Sequence, residues 1–392
     1  MEISNKKTAT GKGKTVPINR NKFTLAENYL GNKYDFRLNT VSLVIEYRQK
    51  DDPSYQVLNE NSIFRELQNL DIGLSMTNLI ALFKSDFVQE YDPFIYYFEN
   101  LPQWNGTDYI QKLASFIKTK DQSVWENQFK KHLVRTVKCA IIPKYYNKQA
   151  LILVDPRQNS GKSTFCRFLC PPALNEYIAE DINTDKDSRI LIAKNFIINL
   201  DELALLTKSD LNSLKSFMSK DQINERLPYD RKSTILQRKA SFVGSTNSTE
   251  FLTDETGSVR WLCFAVDSIN WDYSKLINMD EVWSQAYYLH KSNFIADLSR
   301  EEIVANEERN KRFHVLTVER ELITKLFEFD YHKQPGSFLT ATDVAIKING
   351  YAAGLKINQV MVGRALKSLN CPDGSNTNSS KGYFLKYKDF GN

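Results

Sequence analysis

An α/β fold built on a parallel sheet is what the sequence predicts, and three stretches predict it. Residues 151–169 run from an apolar segment through a polar turn into a helical segment, residues 195–202 are mostly apolar until two final carboxylates, and residues 240–247 carry an apolar strand to a final asparagine. Short runs bounded by turn residues suit strands buried on both faces, which a parallel sheet covered by helices provides. All three end in polar residues at the edge where such a sheet opens its ligand crevice, outside the carboxyl ends of its strands.

The first stretch reads LILVDPRQNSGKST from Leu151 to Thr164. Leu151 to Val154 give the strand, and a helix follows over Phe165 to Leu169. Strand, turn and helix start in that order are the setting of a phosphate-binding loop, where main-chain N–H groups and the helix dipole favour an anion. In that reading Pro156, Arg157, Gln158, Asn159, Ser160 and Gly161 wrap the phosphates of ATP. Lys162 reaches the β- and γ-phosphates, Ser163 ligates Mg²⁺ and Thr164 stands behind it. One position departs from G-x-x-x-x-G-K-[ST]. Pro156 stands where the first glycine falls, and it fixes φ and lacks an N–H, so the loop must enter by another geometry.

The second stretch, NFIINLDE from Asn195 to Glu202, is a buried strand ending in an acidic pair. Asp201 would hold Mg²⁺ through water, and Glu202 would polarise the water that attacks the γ-phosphate. Alone, the pair reads equally as a strand meeting solvent. About 40 residues beyond the lysine, a separation that one βαβ unit and a strand supply, it reads with the first motif. The third stretch, ASFVGST from Ala240 to Thr246, ends at Asn247, which can orient the attacking water and sense the γ-phosphate. Arg260 follows the turn Asp254-Glu255-Thr256-Gly257. Its guanidinium can serve a neighbouring subunit's nucleotide, or simply flank the strand Trp261 to Val266, and spacing leaves both open.

Between the second and third strands lies ERLPYDRKSTILQRKASF, with Arg226, Arg231, Lys232, Arg238 and Lys239 around a Pro-Tyr-Asp turn. Alternation with basic ends suggests a hairpin that presents cations, for which DNA phosphates are the natural partner and a solvated basic face the plain alternative.

Together these segments resemble the virulence-associated protein E family. The likeness rests on LPYDRKS, RKASFVGSTN and FLTDETGSVRW following GKST and NLDEL, and on Tyr91-Asp92-Pro93-Phe94 and Leu101-Pro102-Gln103-Trp104-Asn105-Gly106 upstream. It covers roughly residues 30–300, well beyond a single motif. The resemblance implies a P-loop NTPase core of the AAA+ or superfamily 3 kind, related to helicases of phages and integrated mobile elements. It implies a homo-oligomeric ring on DNA, a hexamer among its possible sizes, with Arg260 acting in trans and the 225–239 hairpin facing single-stranded or origin DNA. It also favours the water-sensing role for Asn247.

The 392 residues are 42% hydrophobic and 25% charged, an ordinary globular composition with room for several domains. No apolar run of about 18 residues is present and no signal-peptide core opens the chain, so neither a membrane span nor export is expected. Cys139, Cys166, Cys170, Cys263 and Cys371 form no C-x-x-C pair, so packing in a reducing cytoplasm is expected of them. Lys6, Lys7, Lys12, Lys14, Arg20 and Lys22 face only Glu2 in residues 1–22, so this tail accounts for the whole net charge of +5. It is expected to be disordered, and the neutral body makes any DNA contact local.

Four domains follow: the tail 1–22, a mostly helical domain 23–145, the ATPase core 146–295, and a helical linker with a winged-helix-like domain over 296–392. The N-terminal domain should hold a hairpin turning at Asn39 and a helical face of Trp125, Phe129, Leu133, Val134 and Val137 that packs on the ATPase sheet. In it, Tyr91, Tyr96, Tyr97, Phe98 and Trp104 suit a core better than base stacking. Asp280 to Lys291 reads as a lid helix and Leu298 to Glu328 as a long charged one. A helix after Thr342 as N-cap, a second over Asn358 to Leu369, and the strand Tyr383 to Tyr387 make the winged-helix rhythm, with Arg364, Lys367 and Lys381 near phosphates. Winged helices also serve as protein contacts.

The leading expectation is an ATP-driven DNA motor, a replicative helicase of a mobile element. A nucleotide-gated DNA-binding or assembly protein without unwinding is the alternative from another class. A small-molecule kinase also carries GKST, but the Asn247 and Arg260 layout argues against it. No primase signature is present, so priming would need a primase in trans.

Overall fold

The computed structural model describes residues 21–180, 182, 186–203, 208–226, 233–252, 258–315, 317–352, 354, 357–375 and 380–388. The chain divides into two compact units, Met1–Pro93 and Phe94–Asn392.

In the first unit, α1 (Lys22–Lys33) leads into an antiparallel hairpin of β1 (Tyr34–Asn39) and β2 (Val44–Gln49). The Asn39 side chain accepts the N–H groups of Val41 and Ser42 at 3.1 and 3.0 Å, closing the turn expected there. β3 (Gln56–Val57), α2 (Glu60–Asn69), α3 (Met76–Phe83) and β4 (Gln89–Tyr91) follow, and the sheet runs β3-β2-β1-β4. Asn59 and Ser75 cap α2 and α3, so both helices start where a polar side chain satisfies free N–H groups. Leu30, Leu67, Leu79 and Phe83 form the core with Tyr34.

The second unit opens within α4 (Pro93–Glu99) and continues with α5 (Tyr109–Ala114), β5 (Ile117–Thr119) and α6 (Gln122–Ile141). Then come β6 (Ala150–Val154), α7 (Lys162–Phe168), β7 (Ile178–Glu180), α8 (Lys186–Lys194), β8 (Ile197–Leu200) and α9 (Lys208–Met218). The hairpin β9 (Gln222–Glu225) and β10 (Thr234–Gln237) precedes β11 (Ser241–Thr246) and β12 (Trp261–Ile269). The central sheet has the order β5-β12-β6-β11-β8-β7. Every pairing in it is parallel except that of β5 with β12. β6, β8 and β11 are buried throughout, as helices on both faces of a parallel sheet require.

An N-terminal domain ending at 145 is not what forms. The first unit ends at Pro93, and its mixed sheet makes it less helical than expected. Residues 94–145 build onto the central sheet, because β5 pairs with β12 and the Trp125 ring of α6 meets Phe264 of β12 at 5.2 Å. The helical face of Trp125, Phe129, Leu133, Val134 and Val137 is buried. Tyr97 and Phe98 are buried too, whereas Tyr96 is exposed.

After the sheet come α10 (Tyr273–Leu276), α11 (Met279–Lys291), α12 (Arg300–Asn310), α13 (Val318–Leu326) and β13 (Phe327–Phe329). The single long helix expected over 298–328 is therefore two. Residues between them leave the helix to bond with Phe251 and Leu252, whose N–H groups donate to Phe313 O at 3.0 and 2.9 Å. β14 (Phe338–Leu339), α14 (Ala341–Tyr351), α15 (Gln359–Ser368), β15 (Asp373–Ser375) and β16 (Lys381–Tyr387) complete the chain. Thr340 caps α14 rather than Thr342, because Thr340 and Asp343 bond reciprocally as a capping box. β16 pairs with β13, β14 and β15. Leu326, Val344, Ile348, Val362, Leu366 and Leu385 form the core of this part. All five cysteines are buried free thiols. Among the described residues, no helix is long and apolar enough to cross a membrane.

Candidate functional site

Strand register builds the site. β11 lies between β6 and β8, with Gly244 opposite both Ile152 and Leu200. The next residues, Ser245 and Asp201, therefore emerge side by side at the carboxyl ends of their strands. Gly244 lets the strands come this close, since a Cβ there would stand 2.6 Å from Leu200 O. Ser245 Oγ donates to Asp201 Oδ1 at 2.7 Å, and Ser163 Oγ, in the first turn of α7, donates to the same oxygen at 2.6 Å. Burial alone would raise the Asp201 carboxyl; donation from the two serines and from the Glu202 N–H, with the nearby Arg167 charge, holds it below the ordinary carboxylate range. Glu202 has φ 49°, a left-handed turn out of the strand, and is exposed beside Asp201.

The loop from β6 to α7 answers the question posed by Pro156. Asp155 is buried, and its carboxylate accepts the Arg157 N–H at 3.0 Å, so Pro156 sits at the corner of an Asx turn where its fixed φ is an advantage. The same carboxylate takes the Arg157 guanidinium through Nε at 3.0 Å and Nη2 at 2.9 Å. Positive φ at Asn159 (54°) and Gly161 (93°) then folds the chain back into α7.

Lys162 is 5% exposed. Its Nζ shares its protons among Asp155 O at 2.9 Å, Arg157 O at 3.0 Å, Ser160 Oγ at 2.9 Å and Asn247 Oδ1 at 2.9 Å. Burial lowers its pKa below that of an ordinary lysine, against the opposing pull of Asp155. Loop, helix start, Asp201, Glu202, Ser245 and Asn247 line one cavity of about 420 Å³. It brings together a buried ammonium, a helix N-terminus, and oxygen donors from Ser163, Ser245 and Asp201 within 2.9 Å of one another. The first two suit an oxyanion, and the oxygen set suits a small hard cation such as Mg²⁺.

Of the expected site residues, Gln158, Asn159, Ser160, Gly161, Lys162, Ser163, Thr164, Asp201, Glu202 and Asn247 line this cavity. Pro156, Arg157 and Arg260 do not: Pro156 is the turn corner, the Arg157 guanidinium is turned onto Asp155 and Asp267 O, and that of Arg260 donates to Ser219 Oγ at 2.9 and 3.1 Å. Arg231 and Lys232 lie outside the described residues. Arg238 is 1% exposed and cannot face DNA. It donates to Phe217 O, Met218 O, Ala240 O and Asn147 O, closing the C-terminus of α9, where a cation meets unsatisfied carbonyls. Lys239 is half-buried with Nζ 2.9 Å from Ala140 O, so it also belongs to the interior side of the hairpin. Arg364 and Lys367 on α15 and Lys381 on β16 are exposed.

Sequence reading missed Ser245, Thr246, Arg167 and Trp271, which also line the cavity. Arg167, one turn beyond Ser163 on α7, bonds Glu180 at 2.7 Å and reaches toward Asp201 at 3.5 Å. Its i+4 spacing from Ser163 was a readable signal. Trp271 had none, since it follows β12 far from the loop in sequence.

The family model of the virulence-associated protein E-like domain matches residues 98–315. Among solved structures, the apo structure of the NrS-1 C terminal region (305–718) is similar at TM-score 0.53 and 11% identity, covering 94% of this chain and 100% of that one. The A form apo structure of the same NrS-1 region is similar at TM-score 0.51 and 11% identity, covering 93% and 99%. At this identity the likeness is one of fold. No curated protein matches the chain.

Proposed function

We propose that this chain, which belongs to the virulence-associated protein E-like family, is an ATP-driven DNA motor with a P-loop NTPase core and a C-terminal winged helix, acting in the replication of a phage or integrated mobile element. The observation that carries the reading is Lys162, a buried ammonium whose contacts span the loop and Asn247, facing the Ser163–Asp201 pair across one cavity. The strand order supports it, with the loop strand β6 between β11 and β12 and the acidic strand β8 beyond β11.

On ATP binding, Lys162 exchanges its loop oxygens for β- and γ-phosphate oxygens, a charge-assisted substitution. Asn247, released from Lys162, is free to orient the attacking water. Glu202 accepts that water's proton. Ser163 and Asp201 would hold Mg²⁺, which neutralises charge on the phosphates when bound. Arg260, away from its own chain's cavity, acts on the nucleotide of the next subunit in a ring. The 225–239 segment meets DNA, with Arg231 and Lys232 as its cations for the phosphates. Its basal residues Arg238 and Lys239 hold it to the body. Arg364, Lys367 and Lys381 meet phosphates at the winged helix.

The test is steady-state ATP hydrolysis with Mg²⁺, with and without single-stranded DNA, on wild type, Lys162→Ala and Glu202→Gln. Turnover should rise with DNA and fall at least about 100-fold in each variant. Turnover at the parent rate in either variant overturns the site assignment.

A further inference from the structure

We propose that Trp271 is the stacking platform for the nucleobase, which makes the cavity a purine-nucleotide site with little preference between adenine and guanine. This rests on the ATP reading above and gives it a specificity element. Trp271 is 50% exposed, yet it lines the same cavity as the loop and the acidic pair. Its indole lies so close over Gly161 that a Cβ there would stand 2.6 Å from Cζ2 and 2.9 Å from Cη2. The ring thus borders the loop expected to wrap the phosphates, while about half of the residue's surface stays exposed.

Its main chain is anchored. Two residues on, Tyr273 is buried, with its ring 5.3 Å from Phe165 and 4.9 Å from Phe168, both on α7. Trp271 O accepts Ser274 N at 3.2 Å and Ser274 Oγ at 3.0 Å. The main chain that carries the indole is therefore tied to the helix that begins at Lys162, which reduces the ordering that a ligand must supply. Trp125, Trp261 and Trp283 are fully buried core residues, and Trp104 lies against Tyr288 with its N–H on Thr107 O. Trp271 is thus the one of the five tryptophans that lines this cavity and stays half exposed. Stacking tolerates any base but gains with ring area, which favours purines over pyrimidines without separating adenine from guanine.

Calorimetric binding of Mg²⁺-ADP, Mg²⁺-GDP, Mg²⁺-CDP and Mg²⁺-pyrophosphate to the full chain tests this on wild type, Trp271→Ala and Trp271→Phe. Wild type should bind ADP and GDP within about 5-fold of each other and CDP more weakly. Trp271→Ala should lose about 10- to 100-fold for ADP and GDP while pyrophosphate stays within about 2-fold, and Trp271→Phe should recover most of the loss. Equal losses for ADP and pyrophosphate would make Trp271 a brace for the loop and overturn the proposal, as would unchanged ADP binding in Trp271→Ala. Wild type that binds neither ADP nor pyrophosphate overturns the nucleotide reading itself, and the stacking role with it.

Discussion

Lys162 and Arg238 are both cations buried in the second unit, 5% and 1% exposed, and they are held in opposite ways. Lys162 is held by loop oxygens, a serine hydroxyl and an asparagine amide, at the wall of an open cavity. Arg238 is held by four main-chain oxygens, two of them at the end of α9, and by the Phe242 ring 5.1 Å from its guanidinium. Nothing arriving from solvent can replace these without unwinding the helix end. What surrounds a buried cation thus says whether it is available to a ligand or committed to the fold.

The sharpest way to break this contrast is stability. Arg238→Ala strands several buried carbonyls and should lower the unfolding free energy by about 3 kcal/mol or more. Lys162→Ala should cost about 1 kcal/mol or less, because a loop can repack around its absence. Urea melts of both variants decide it, and equal losses would erase the distinction.

Acid sharpens the site's half of the comparison by a smaller margin. The folded pKa of Asp201 lies below its unfolded value, so the carboxylate stabilises the fold above the ordinary carboxyl range. That contribution is lost as pH falls below about 4. Asp201→Asn should therefore flatten the fall in melting temperature below that pH, and an acid limb unchanged from wild type would count against a carboxylate held by Ser163 and Ser245.

The smallest effect belongs to cations that nothing buries. Arg364→Ala and Lys367→Ala should each change stability by less than about 0.5 kcal/mol. If α15 lies on a phosphate backbone, each should also lower the slope of log binding constant against log salt by about 1. Unchanged slopes would move DNA contact to another surface.

The contrast also marks what sequence can carry. Leu151 to Lys162 is legible because its parts are contiguous and each local preference agrees with the next. Asp201 and Asn247 are legible because they end apolar runs in a parallel sheet, and the register does the rest. Arg238 misleads because its partners at Phe217 and Met218 lie on another element, and a run of basic letters says nothing about which way each side chain turns. Trp271 is hidden for a similar reason, since Tyr273 positions it by packing on Phe165 and Phe168 of α7. The boundary at Pro93 is hidden because β5, which ties residues 94–145 to the central sheet, spans only Ile117–Thr119.

Gly244 extends the site's address beyond its own walls. The close strand contact leaves no room for a methyl group against Leu200 O, so any side chain there must wedge β8 away from β11. Asp201 and Ser245 ride on those strands and would be carried apart. A screen for variants with a disrupted cavity would then return a position in the sheet interior, and a list of the residues that line the cavity would give no hint of the cause.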